Sequence, residues 1–266
     1  RFWHAQHCSK MVATTAAAAA AAKALLLVGV LATGARAFTH PAATTTTTTN
    51  ARTTLIPLRK ATAATSETYA DAIASARTVL KRAALTRKEP SDSVVESLLS
   101  LEKAARERAR QDEASTYELQ KHLNGAWRLA FTTGTVDVQK KSGRVNYFPV
   151  KAVQSFDFAT GAIANGIYAG DVNVLKFKGQ FEFLPESRKL EFDFDEISLF
   201  NGALTFQLPA KGAAAFGEKT GLGSKSNEKL VASGKKPFFM WIDADPDIAT
   251  ARGGGGGLAL WQREAE

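Results

Sequence analysis

Few residues in this chain have the type and spacing to do chemistry. Cys8 is the only cysteine among 266 residues. No intrachain disulfide, CxxC pair or thiolate zinc site can therefore form. Of the four histidines (His4, His7, His40 and His122), only His122 lies in the part expected to fold. A single histidine can act as a general base but cannot build a multi-histidine metal site. Neither GxSxG nor GxxxxGK[ST] occurs. Ser226-Asn227-Glu228-Lys229 fits SxxK without that motif's companions, and Leu258 occupies the last position a GxGxxG fingerprint would need in Gly253–Gly257. Asp243, Asp245 and Asp247 have the alternating spacing of cation ligands but lack the Gly and Glu of an EF-hand loop, so a turn with capping carboxylates is the reading. The expectation is a non-enzymatic protein with no metal and no cofactor.

Charge narrows the partners. Lys and Arg number 34 against 26 Asp and Glu, a net +8. Residues 1–66 hold seven basic side chains and no acid; from Glu67 onward the balance is 27 basic to 26 acidic. The basic pI belongs to the N-terminal tract, and nucleic-acid binding is not expected. Residues 1–10 precede the first methionine, Met11, and read as upstream of the start. Residues 11–37 read as a signal peptide: Lys23, an apolar stretch from Ala24 to Ala35, then the small-x-small Ala35-Arg36-Ala37. That stretch is shorter than the roughly 20 residues that span a bilayer. Residues 38–66 are hydroxyl-rich, basic and acid-free, as transit peptides are. Signal peptide, transit peptide and Phe38 at their junction resemble the bipartite presequence of algae with complex red plastids. An ordinary secreted protein with a low-complexity N-terminus is the alternative.

The elements that would position any site follow from periodicity. Tyr69, Ile73, Ala76, Leu80 and Ala83 step by three and four, predicting a helix from Ser66 to Thr86 that Pro90 ends. A second helix follows Pro90-Ser91-Asp92, with Val94, Leu98, Leu101 and Ala105 on its buried face and Glu102 to Glu113 as a solvated charged face. Residues 67–122 thus form a helical segment. At Leu123 the period becomes two. Trp127, Leu129 and Phe131 alternate; so do Val150, Ala152, Phe156 and Phe158, then Leu175, Phe177, Phe181 and Phe183, then Leu190, Phe192 and Phe194. A phase slip at Asp195-Glu196 predicts a bulge. Leu204, Phe206 and Leu208 form another short strand. Turn signals separate the runs, so residues 123–266 predict an antiparallel meander closed as a barrel, with a Gly-, Ser- and Lys-rich loop over 211–236. Phe238 to Ile242 reads as a strand buried on both faces, and Leu258 to Trp261 as another strand.

Sixteen phenylalanines supply rigid apolar walls, while the inward polar candidates are few, Gln154 and Thr133. Small barrels either fill with side chains or hold one apolar ligand. Asn124-Gly125-Ala126-Trp127-Arg128-Leu129-Ala130-Phe131 resembles the opening strand of the plastid lipid-associated protein (plastid fibrillin) family. Gln154-Ser155-Phe156-Asp157 with Gly161 to Gly166 is similar to that family's second block, Val94 to Glu102 to its N-terminal helix, and Ala244 to Gly253 with Leu258 to Arg263 to its C-terminal block. The resemblance spans most of residues 67–266. The long loop and the glycine run depart from the family pattern.

The resemblance implies a mainly β, lipocalin-like antiparallel barrel preceded by two helices. It also implies a plastid protein at plastoglobules, thylakoids or stroma that binds or organises a hydrophobic small molecule or lipid (a prenylquinone, carotenoid or similar), peripherally associated with membrane. Gly125-x-Trp127 matches the lipocalin Gly-x-Trp motif, in which a last-strand arginine covers the tryptophan; Arg263 is the first candidate and Arg252 the second. Candidate ligand-lining residues are Trp127, Leu129, Phe131, Phe156, Phe158, Phe177, Phe181, Phe192, Phe194 and Phe206. The competing reading keeps the barrel solid and makes the protein an interaction subunit docking on a plastid protein partner through its helices or the 211–236 loop.

Overall fold

The protein is described by a computed structural model covering residues 59–208 and 236–265, with side chains from Tyr69 onward. The signal- and transit-peptide assignments up to residue 58 and nearly all of the 211–236 loop lie outside these residues. Three helices lead into the sheet: α1 (Arg59–Thr86), α2 (Ser91–Gln111) and α3 (Ala114–Leu123). After β1 (Gly125–Thr132) come a short helix α4 (Val136–Ser142) and β2 (Asn146–Tyr147). The meander continues through β3 (Lys151–Asp157), β4 (Ala162–Ala169), β5 (Val172–Leu184), β6 (Lys189–Leu199) and β7 (Leu204–Gln207). It closes with β8 (Phe238–Ala244), β9 (Ile248–Gly253) and β10 (Leu258–Arg263).

Eight strands run in the order β1-β3-β4-β5-β6-β8-β9-β10, all antiparallel, and β10 pairs back with β1 to close the barrel. The short β2 pairs with β1, and β7 pairs with β6 off this path. The fold is the closed antiparallel barrel that periodicity and turn spacing predict, with differences of detail. Three helices precede it rather than two. The charged run Glu102–Glu113 is broken at Asp112, whose side chain accepts from the Ala114 amide at 3.0 Å and starts α3. Helix α1 begins at Arg59 rather than Ser66. Helix α2 starts at Ser91 with Pro90 at its N-cap and no side-chain cap; Asp92 contributes only early negative charge.

Two apolar clusters explain the architecture. One fills the barrel and joins Trp127, Leu129, Phe156, Phe192, Phe239, Trp241 and Trp261 with Leu119 and Leu123 of α3. The other lies outside the barrel, where Ile73, Leu80, Val94, Leu98 and Leu101 of α1 and α2 cover Phe131, Ile242, Ile248, Leu258 and Leu260. Strands β1, β8, β9 and β10 are therefore buried on both faces, which is why Phe238–Ile242 lacks alternation. Strands β3 to β7 have no helix over their outer face in these clusters and keep the alternating pattern, with Lys176, Lys178, Glu182 and Glu191 outward.

Ion pairs fix the helices on the barrel. Arg77 donates two hydrogen bonds to Asp243, both at 2.7 Å. Lys81 sits 3.0 Å from Asp245 and 2.7 Å from Asp247, and Arg252 grips Glu102 at 2.8 and 2.5 Å. Glu102 thus faces β9 instead of solvent. The three aspartates serve α1, and Asp245 also accepts from the Asp247 and Ile248 amides at 2.8 and 3.0 Å, building the β8–β9 turn.

Burial pushes the Asp245 carboxyl up, but the two amides and Lys81 outweigh it and hold the group below its ordinary value of 3.8. A depressed carboxylate contributes stability that is fully present above the unfolded value and is lost as pH falls through the folded one. Thermal melting should therefore be level down to about pH 5 and fall increasingly below about pH 4. Asp245→Asn should be less stable at neutral pH and show a shallower acid limb; an acid limb of unchanged steepness would remove Asp245 from that role.

Candidate functional site

The barrel has one plugged end. Helix α3 runs into Asn124 and Gly125, so Leu119 and Leu123 close the interior beneath Trp127. The Trp127 indole N–H donates to the Leu123 carbonyl at 2.8 Å. Arg263 lies over the Trp127 ring, 3.9 Å from its centroid. Its guanidinium donates to the Asn124, His122 and Pro246 carbonyls at 2.6, 2.5 and 3.1 Å. A single arginine thus joins the last strand, the helix end and the β8–β9 turn. Gly125 makes the approach possible: its φ is +111°, and an added Cβ would stand 2.8 Å from the guanidinium. Arg252, the second candidate, is engaged by Glu102 and by the Gly256 carbonyl at 2.6 Å and does not cover Trp127.

One row of directly opposed residues runs inside the wall from this plug. It passes from Arg263 and Trp127 through Gln154, Asn165, Phe177 and Ile197 to Phe206. Directly opposed residues share a face, and because barrel strands tilt, such a row climbs around the interior. Its burial changes along the way. Trp127 is fully buried and Gln154 is 5% exposed, whereas the inward Asn165 and Phe177 are only half-buried. Phe158, Phe181 and Phe183 are half-buried as well. These inward side chains are still reached by solvent.

The two halves of the interior differ in composition. On the helix-covered side, Trp241 and Trp261 stand opposite Ala251 and Ala249, and the small partners leave room for indole rings. Trp241, Trp261, Phe239, Phe156 and Phe192 form a continuous network with centroids 5.2 to 5.8 Å apart. On the bare side, β5 carries Phe177 and Phe181 with Gly179 between them. A Cβ at Gly179 would meet the Asp193 carbonyl oxygen at 1.9 Å, because Asp195 is the extra residue of the expected bulge and the backbones close up beside it. Between the two phenylalanines, β5 therefore carries no side chain, and the β6 backbone packs directly against it.

Most candidate lining residues stand in the inner cluster: Trp127, Leu129, Phe156, Phe192 and Phe194 within it, and Phe158, Phe177 and Phe181 packed against it. Two do not. A register shift between Leu129 and Phe131 turns Phe131 outward, under the helices and edge-on to Tyr147 at 5.3 Å. Phe206 lies on β7, off the closed path; it shares the inner face of Ile197 but is 52% exposed. Sequence reasoning passed over Phe239, Trp241, Trp261 and Asn165. The i, i+2 pair Phe239/Trp241 was visible inside an unbroken apolar run, but no local signal marks Asn165 as inward.

No protein-family model and no curated protein matches this chain. Among solved structures it is similar to the NMR structure of a protein from Burkholderia xenovorans, at 12% identity over 58% of this chain and 90% of that one, with a TM-score of 0.29.

A recess of about 330 Å³ lies outside the barrel between the helices and β8, lined by Arg77, Arg108, His122, Arg188 and Asp243 among others. Arg188 sits in the left-handed region at φ +51° and donates to the Ala105 and Ile242 carbonyls at 3.3 and 3.1 Å. Burial lowers its pKa, and it ties the β5–β6 hairpin to α2 and β8. Among the described residues no three His, Cys, Asp or Glu groups gather as a metal site, and no helix is long and apolar enough to cross a membrane.

Gly125→Ala should cost about 2–4 kcal/mol, combining a left-handed backbone with displacement of Arg263. Arg263→Ala should cost about 2 kcal/mol from the lost stacking and hydrogen bonds. Urea unfolding followed by tryptophan emission measures both, and wild-type midpoints in both variants would show that the plug does not hold the fold.

Proposed function

We propose that this protein is a non-catalytic binder of small apolar molecules, with the bare side of the barrel interior as its site. The observation that carries this reading is that Asn165, Phe177 and Phe181 point inward and remain solvent-accessible. A barrel filled by its own side chains would bury them. Rigid aromatic walls with few polar groups suit an apolar guest, whose transfer from water contributes roughly 25 cal/mol per Å² of surface buried. Val172, Phe200, Leu204 and Phe206 are exposed around the β4–β5 and β6–β7 turns. They place apolar surface beside the accessible half of the interior, where an apolar guest or a lipid surface would meet it.

The sequence resemblance to the plastid lipid-associated proteins and the composition of residues 11–66 support the same reading and add a plastid setting, with prenylquinones, carotenoids or similar lipids as the guest class. A fluorescent protein fused behind residues 11–66 should label the plastid when expressed in an alga with a complex red plastid; export from the cell would refute that setting.

Binding is tested by exposing the full chain to a plastid lipid extract, removing free lipid and identifying retained molecules by mass spectrometry. One apolar molecule per chain is expected. It should be lost in Phe177→Arg combined with Phe181→Arg and weakened in Phe206→Arg, whose exposed position leaves folding intact. A folded wild-type chain that retains nothing would overturn the binder and favour a subunit that docks on another protein.

A further inference from the structure

The interior is not wholly apolar, and its polar groups constrain the guest. Three stand out. Trp241 is 1% exposed within the inner cluster, and among the described residues its indole N–H has no hydrogen-bond partner. Gln154 is 5% exposed on the inner row, and among the described residues no partner hydrogen-bonds its side-chain amide. Asn165 is its direct cross-strand neighbour, on the same inner face and still accessible. The Trp241 ring meets Phe156 edge-on at 5.4 Å, and Phe156 is two residues along β3 from Gln154. The indole and the two amides therefore belong to one region of the interior.

Burying a donor without an acceptor is unfavourable, and nearly all buried polar groups in folded proteins find a partner. Trp241 packs opposite Ala251, but its N–H takes no part in that packing; Phe at that position would leave no donor unmatched. Trp127, by contrast, has its N–H satisfied by the Leu123 carbonyl. An indole N–H only donates, whereas the amides both donate and accept.

Building on the apolar-ligand reading above, we infer that the guest carries an acceptor oxygen, as in a ketone, quinone or ester. That oxygen is held inside the barrel by Trp241 Nε1 and the amides of Gln154 and Asn165, while the apolar remainder lies along Phe177 and Phe181 toward Phe206. The site would then reject a pure hydrocarbon of the same shape, because binding it would leave the donor and both amides unmatched and cut off from water.

A matched pair of fluorescent probes tests this on the full chain. Prodan, a naphthalene bearing a propionyl ketone, is compared with its analogue carrying propyl in place of propionyl. Wild type should bind the ketone about tenfold or more tightly than the propyl analogue, since each net hydrogen bond changes affinity by about two- to tenfold. Trp241→Phe and Gln154→Leu should each reduce that preference severalfold while leaving the affinity for the propyl analogue unchanged or higher. Trp241→Phe keeps the test decisive should Gln154→Leu misfold. Equal affinity for both probes in wild type would overturn the oxygen assignment yet leave the apolar binder standing. Failure to bind either probe would overturn both. A preference unchanged in a folded Trp241→Phe would remove the indole from the site.

Discussion

The structure depends on the seam between its first and last strands. β1 and β10 are the neighbouring strands of the barrel path that lie farthest apart in sequence, and their pairing converts an open meander into a closed wall. Backbone bonds alone do not fix which edge meets which. Side chains do so here: Arg263 stacks on Trp127, reaches the carbonyls of residues that end α3, and is admitted because Gly125 has no Cβ. Closing so long a loop carries an entropic cost that grows only slowly with length, so a few well-formed contacts suffice to hold it. Closure also removes two sheet edges that would otherwise invite pairing with other chains.

From that seam follows the asymmetry of the molecule. The strands flanking it, β8 to β10 and β1, carry apolar residues on both faces, because α1 and α2 lie across their outside. Inside, the same strands supply the three tryptophans and the alanines that accommodate them. Ion pairs from Arg77, Lys81 and Glu102 add orientation to this helix layer more than energy, since partly exposed pairs contribute little individually. The opposite arc, β3 to β7, is a single-layered wall. Its outer face is polar and its inner face is phenylalanine-rich. A guest that filled the interior would therefore brace the arc that the helices leave uncovered.

How much of this was legible in the sequence depended on whether a pattern was local. Alternation in β3, β5 and β6 located those strands, and the slip at Asp195 located the bulge, because period and phase are properties of neighbouring residues. The Gly125-x-Trp127 pairing with Arg263 was legible only through a family resemblance, since nothing local links residues so far apart. Phe131 was misassigned because a bulge in β1 flips its face, and a single slip reverses every later side chain. The break between α2 and α3 was hidden at the end of a charged run, where its stop signal, Asp112, looks like the rest of it. Phe206 was assigned to the lining from its alternation. That alternation is correct, but the pairing of β7 with β6 alone, outside the closed path, is a tertiary fact. Asn165 and the unmatched Trp241 N–H could emerge only once five strands had been placed side by side.

That last point bears on how a site of this kind discriminates. An apolar chamber binds by area, and area rewards any guest of suitable size, so a wall made only of phenylalanine would be strong and indiscriminate. Selectivity comes from groups that are unfavourable when unmatched. One buried indole N–H and two amides in an otherwise apolar wall add little to the affinity of the right guest, because that guest gives up hydrogen bonds to water in order to form them. Against the wrong guest they act with their full desolvation penalty. The position of Gln154 and Asn165, midway along the row that starts at the Arg263–Trp127 plug, sets them at a fixed distance from the closed end. A guest oxygen would be measured from that floor. The contact that closes the barrel would thereby also fix the depth at which an apolar molecule is read.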